Sequence, residues 1–113
     1  MNSNYTTLNV DAEGYLQDLT TWNSDTAHAL AAHENRVLTP EHWEVITVVR
    51  DFYARFEIVP AMRPLVKAVR EALGDEKGTS MYLMSLFPEQ DRQESPAKIV
   101  ARLAGLPRPT NCH

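Results

Sequence analysis

The chain holds one thiol, Cys112, next to last in a sequence of 113 residues. A lone cysteine cannot close an intramolecular disulfide, and many such cysteines are simply small core hydrophobes. Its position argues against that role. Chain ends are exposed, and Pro107 and Pro109, just upstream, forbid helix and favour extended polyproline geometry. Seven residue steps from Gly105 to Cys112 give the sulfur a reach of roughly 20 Å at about 3.3 Å per residue. This pattern predicts an exposed thiol on a semi-rigid arm. Such an arm suits entry into a partner's active site, because a stiff segment loses less entropy on docking than a flexible one.

The reactive form of a thiol is the thiolate, a few per cent of the population at neutral pH for an ordinary pKa of about 8.5. Arg108 and Arg102 would favour the thiolate. His113 is a base when neutral and a counter-ion when protonated. Without a resolving cysteine, Cys112 can form a mixed disulfide or carry an extra sulfur as a persulfide, and nothing in cis discharges that cargo. From Ser95 onward the only charged side chains are the cations Lys98, Arg102 and Arg108. They are expected to dock on acidic partner surfaces or to orient an oxyanion near the thiol, the alternative being ordinary solubility charges.

Other chemistries find little support. His28 and His33 are five residues apart, poor spacing on a helix, and neither they nor His42 has a cysteine or acid to complete a zinc-like set, so no metal is expected. Trp43, Phe52, Tyr53 and Phe56 read as core rather than as a stacking platform. Glu41 and Glu44 suit a helix start. No glycine-rich phosphate loop occurs, and no cofactor is expected. Arg63, Lys67 and Arg70 share a helix face, which leaves a helix-turn-helix DNA-binding regulator as a remote alternative. The net charge of −4 argues against it.

The elements that must position the thiol follow from composition and pattern. With 43% apolar and 23% charged residues the chain is a single globular domain. Positions 1–61 set three arginines against nine acids, a net of −6, whereas 62–113 set eight cations against six acids, a net of +2. Neither a bilayer-length apolar run nor a signal peptide is apparent, so a cytoplasmic protein, monomeric on its own, is expected. Tyr5–Val10, the turn Asp11-Ala12-Glu13-Gly14 and the segment Tyr15 to Trp22 predict a small N-terminal hairpin. Asn23-Ser24-Asp25 caps an alanine-rich helix through Glu34. Thr39 and Pro40 start a helix with Trp43, Ile46, Val49, Phe52, Tyr53 and Phe56 as a buried stripe, ended by Pro60. Met62–Leu73 is a third helix stopped by Gly74, and Thr79/Ser80 caps a short fourth up to Phe87. Ser95-Pro96 opens the last, stopped by Gly105. The expected architecture is mostly α (α+β): a compact orthogonal helical bundle over 1–105, with the small β-hairpin, and an extended, mobile C-terminal arm over 106–113.

The run Gly105-Leu106-Pro107-Arg108-Pro109-Thr110-Asn111-Cys112 resembles the C-terminal arm of the TusE/DsrC family of sulfur-relay proteins. Asp11-Ala12-Glu13-Gly14-Tyr15-Leu16, Trp22, Pro40-Glu41-His42-Trp43-Glu44-Val45, Val49-Arg50-Asp51-Phe52-Tyr53, Pro60-Ala61-Met62-Arg63, Leu65-Val66-Lys67 and Leu86-Phe87-Pro88 agree with it over nearly the whole chain. The resemblance implies a helical fold whose arm carries sulfur on Cys112. In the TusE branch that sulfur comes from a TusBCD-type donor complex and goes to an MnmA-type tRNA thiolase that makes wobble 2-thiouridine. The DsrC branch implies a dissimilatory sulfite reductase (DsrAB-type) as partner, or another sulfur-oxidation system. It also implies a second cysteine eleven residues upstream of the first; here that position is Ala101, which favours the one-cysteine relay. The final His113 departs from the aliphatic ending usual in the family. Direct nucleic-acid or membrane binding is not implied.

Overall fold

The computed structural model describes residues 8–109. Five α-helices follow one another: α1 Ser24–His33, α2 Pro40–Phe56, α3 Met62–Leu73, α4 Ser80–Leu86 and α5 Pro96–Leu103. Their starts follow the side chains that can satisfy orphan N–H groups. Asn23 accepts from the Thr26 amide at 2.9 Å, Thr79 from Tyr82 at 3.0 Å and Ser95 from Lys98 at 3.3 Å. At α2 the reciprocal partner three residues on is His42, whose Nδ1 accepts from the Thr39 amide at 3.0 Å. Its Nε2 lies 2.8 Å from the Leu86 carbonyl. One neutral tautomer, protonated on Nε2, satisfies both contacts and ties the start of α2 to the end of α4.

α5 is the central element. Ala97, Ile99, Val100, Ala101 and Leu103 are all buried, and α1, α2 and α3 pack around them. Ala27, Leu30 and Ala31 of α1, Val45, Ile46 and Val49 of α2, Leu65 and Val69 of α3, and Leu83 and Phe87 belong to the same core. Each fully buried aliphatic side chain among them contributes about 1.5–3 kcal/mol.

Three expectations need correction. The N-terminal hairpin is reduced to one antiparallel bridge, Val10 to Leu16; no strand occurs among the described residues, and Tyr5–Thr7 lie outside them. The segment expected to return as a strand instead makes a 3-10 turn, Leu19–Thr21, which Asp18 caps by accepting from the Thr20 amide. The α2 helix stops at Glu57, in the left-handed region at φ 59°, before Pro60 is reached. Finally, the aromatic stripe of α2 is buried only over its first turns. Phe52 and Phe56 meet each other at 4.7 Å between ring centroids, yet Phe56 is 55% exposed. The helical period carries Phe56 to the Val49 side, but at this last turn its ring lies against Phe52 and 5.6 Å from the Arg55 guanidinium instead of in the core.

Candidate functional site: the root of the C-terminal arm

The end of α5 determines where the arm leaves. Gly105 adopts φ +73°, its amide bonds the Arg102 carbonyl at 3.2 Å, and the Leu106 amide bonds the Ala101 carbonyl at 3.0 Å. This pair of bonds is the Schellman termination of a helix. It leaves the carbonyls of Leu103 and Ala104 without helical partners, and two residues distant in sequence satisfy them. Trp22 Nε1 donates to Leu103 O at 3.0 Å, and Arg50 Nη1 donates to Ala104 O at 2.5 Å. The Arg50 guanidinium also stacks on Trp22, 3.9 Å from the ring centroid, an arrangement favourable for a partly desolvated cation. Burial pushes the Arg50 guanidinium down from its usual pKa. A Cβ at position 105 would stand 2.2 Å from Trp22 Cδ1, so only glycine lets the arm's root lie on the indole.

The chain does not leave the body at Leu106. Leu106 is buried, and so is Pro109. Between them Arg108 Nη2 reaches Glu13 Oε1 at 2.6 Å, with its guanidinium 5.3 Å from the Tyr15 ring centroid. Glu13 is presented there by a tight turn. Asp11 Oδ1 accepts from the amides of Glu13 at 2.9 Å and Tyr15 at 3.0 Å, and Gly14 takes φ +91° with its α-carbon facing the Arg102 side chain. A cleft of about 650 Å³ lies between this turn and the arm, lined by Asp11, Tyr15, Gln17, Leu19, Pro107 and Arg108 among others. Burial raises the Tyr15 hydroxyl above its usual pKa, so it stays neutral here and donates to the Lys98 carbonyl at 3.4 Å.

The three cations grouped by the sequence separate in space. Arg102, expected to dock on partners, is 1% exposed. It bonds Glu34 through Nε at 2.5 Å and Nη2 at 3.1 Å, and Glu94 through Nη1 at 2.7 Å and Nη2 at 2.9 Å. Burial works against its charge, but the two carboxylates outweigh that and hold it firmly protonated. The Glu94 carboxyl is likewise opposed by burial, but bonding to Arg102 and the charges of Arg102, Arg92 and Lys98 bring it below its usual range. Arg102 therefore cannot meet an acidic partner surface; the chain's own acids, brought in by the Asn35 turn and the linker before α5, already do so. Arg108 is half-exposed and paired with Glu13. Lys98 is half-buried on α5. Cys112 and His113 lie outside the described residues. Arg63, Lys67 and Arg70 are exposed along α3.

Neither residue type nor spacing marks Trp22, Arg50, Glu13 or Tyr15 as functional. The available signal for Arg50 is a cation directly after Val49 in the apolar stripe of α2. A lone tryptophan among polar residues is the signal for Trp22.

Among described residues no group of three or more histidines, acids or cysteines is placed to hold a metal ion, and no helix is long and apolar enough to cross a membrane. The chain is 48% identical over 112 residues to the sulfurtransferase TusE homolog of Haemophilus influenzae, covering 99% of this chain and 98% of that protein. It is 46% identical over 105 residues to sulfurtransferase TusE of Escherichia coli, covering 93% and 92%. In structure it is similar to Allochromatium vinosum DsrC (TM-score 0.80, 48% identity, 92% of this chain and 88% of that one). It is also similar to the oxidized gamma-subunit of dissimilatory sulfite reductase, DsrC, from Archaeoglobus fulgidus (TM-score 0.75, 35% identity, 94% and 92%). The family model described as DsrC like protein matches residues 2–113, and with these relatives it shows that the chain belongs to the DsrC-like family.

Proposed function

We propose that the chain is a sulfur carrier that accepts and donates a sulfane sulfur on Cys112, in the relay for tRNA wobble 2-thiouridine. The observation that carries this reading is the near-full-length match to sulfurtransferases of the TusE type. It is joined to a sequence whose only thiol stands three residues beyond the anchored Pro109. In loading, the Cys112 thiolate attacks the outer sulfur of a donor persulfide; a new S–S bond forms, the old one breaks and the donor leaves as its thiolate. In delivery, an acceptor nucleophile attacks the outer sulfur of the Cys112 persulfide and Cys112 leaves as thiolate. The two steps are the same exchange in opposite directions and need no external oxidant or reductant. A TusBCD-type complex as donor and an MnmA-type thiolase as acceptor, in the cytoplasm, complete the reading, with 1–105 as the body and 106–113 as an arm that lies on that body as far as Pro109. His113 would adjust the ionisation of its neighbour.

The likeness to a sulfite reductase gamma-subunit supports a second reading, in which a DsrAB-type sulfite reductase is the partner. Position 101 speaks against a redox cycle in cis: it is a buried alanine in α5 and supplies no second thiol. Intact mass after exposure to a persulfide donor tests the proposal. One added sulfur atom is expected on the native protein, none on Cys112→Ser. A chain that takes up no sulfur, or a serine variant that loads equally well, refutes it.

A further inference from the structure

The arm is held at two points rather than one: Gly105 on Trp22, and Arg108 with Pro109 on the Glu13–Tyr15 turn. We infer that Glu13 and Tyr15 are positioning residues for sulfur transfer, which act by fixing Arg108 and so setting the origin from which the thiol searches. The inference rests on the sulfur-carrier reading of Cys112.

Chain length gives the argument its size. From Gly105 the sulfur can reach roughly 20 Å, but from Pro109, three residues away, only about 10 Å. Halving the radius cuts the volume searched up to about eightfold, and effective concentration at a docked partner rises in proportion. The second point of attachment is suited to this. Pro107 and Pro109 restrict the backbone between the two anchors. Pro109 is buried, whereas the Arg108–Glu13 pair is half-exposed on both sides. The turn that carries Glu13 is itself tied down by Asp11 and by the Asp11–Tyr15 backbone bond of 2.8 Å. Glu13 therefore comes to Arg108 at little further ordering cost. The same contact explains why a cation at position 108 need not face a partner: its carboxylate is in cis.

Reversing the charges one at a time and together separates positioning from docking. A nitroxide on Cys112, the sole cysteine, should broaden the backbone amide signals of Ala12 to Tyr15. Arg108→Glu should weaken that broadening, and the double variant Arg108→Glu/Glu13→Arg should restore it. In transfer to the acceptor, Arg108→Glu should lower kcat about threefold to eightfold with KM little changed, because the search follows docking, and the double variant should recover most of the loss. Broadening that ignores Arg108→Glu refutes the contact. Broadening that recovers in the double variant while kcat stays low means that Arg108 touches the partner, and refutes positioning. The broadening is read without any sulfur chemistry, so failure of the carrier reading shows separately, as a native protein that neither loads nor transfers.

Discussion

Arg102 and Arg108 stand six residues apart, carry the same charge and both pair with carboxylates, yet they belong to different parts of the molecule. Arg102 is 1% exposed and shared by Glu34 and Glu94 through four hydrogen bonds. Arg108 is about half exposed and meets one carboxylate, Glu13, that is equally exposed. In the dry site every N–H must be answered, and removing one partner strands the others. In the wet one, water competes for both charges, so the pair can exchange partners at small cost. The difference teaches what each charge holds: Arg102 ties α5 to the Asn35 turn and the preceding linker from inside, while Arg108 ties the residues after α5 to Glu13 at the surface.

The largest effect should come from breaking the buried network. Arg102→Met removes the cation shared by Glu34 and Glu94, leaving Glu34 with Arg36 at 2.8 Å and Glu94 with Arg92 at 3.7 Å, and should cost about 3 kcal/mol, read as a fall in denaturant midpoint at unchanged slope. If the variant matches the native midpoint, Arg102 does not lock α5 in place. Gly105→Ala follows, with a strained left-handed residue worth on the order of 1–3 kcal/mol and displacement of Trp22 in addition. Gly105→Ala made in a Trp22→Ala background supplies the control, because it carries the strain without the collision. Equal losses in the two backgrounds would mean that the indole gives way freely.

Acid should act on the same network in the native protein. The Glu94 carboxyl lies below its usual value of 4.5, so its contribution is present above that value and lost as pH falls through the depressed one. Stability should hold at neutral pH and fall progressively below about pH 4.5, and Glu94→Gln should flatten part of that slope. A slope unchanged by the substitution would place the acid sensitivity elsewhere. The smallest effect is expected at Arg108→Ala, within about 1 kcal/mol of the native protein. A loss as large as that of Arg102→Met would erase the contrast between the two arginines.

Much of the body is legible in the sequence because local signals act locally. Asn23, Thr39-Pro40, Thr79 and Ser95-Pro96 start helices where capping chemistry requires, and Gly74 and Gly105 stand where helices stop. The hairpin was not legible. Alternation and turn residues around Asp11–Gly14 are real, but they build a loop that presents Glu13, with a single bridge in place of a ladder. The role of Arg102 was hidden for a related reason. Its carboxylates come from positions 34 and 94, and only the packing of α1 and the linker on α5 reveals that its charge is answered inside. The arm's root is a case of the same kind: Trp22 and Arg50 lie 83 and 55 residues before Gly105, and no periodicity links a helix's orphan carbonyls to donors so distant.

Everything assigned to Cys112 reduces to whether one sulfur atom passes through it. Labelled sulfur supplied as a donor persulfide, together with the acceptor thiolase and its tRNA, should appear in thiolated tRNA in proportion to the native protein added, and should not appear with Cys112→Ser. Label reaching tRNA equally with the serine variant, or never residing on the native chain along the way, would contradict the carrier role.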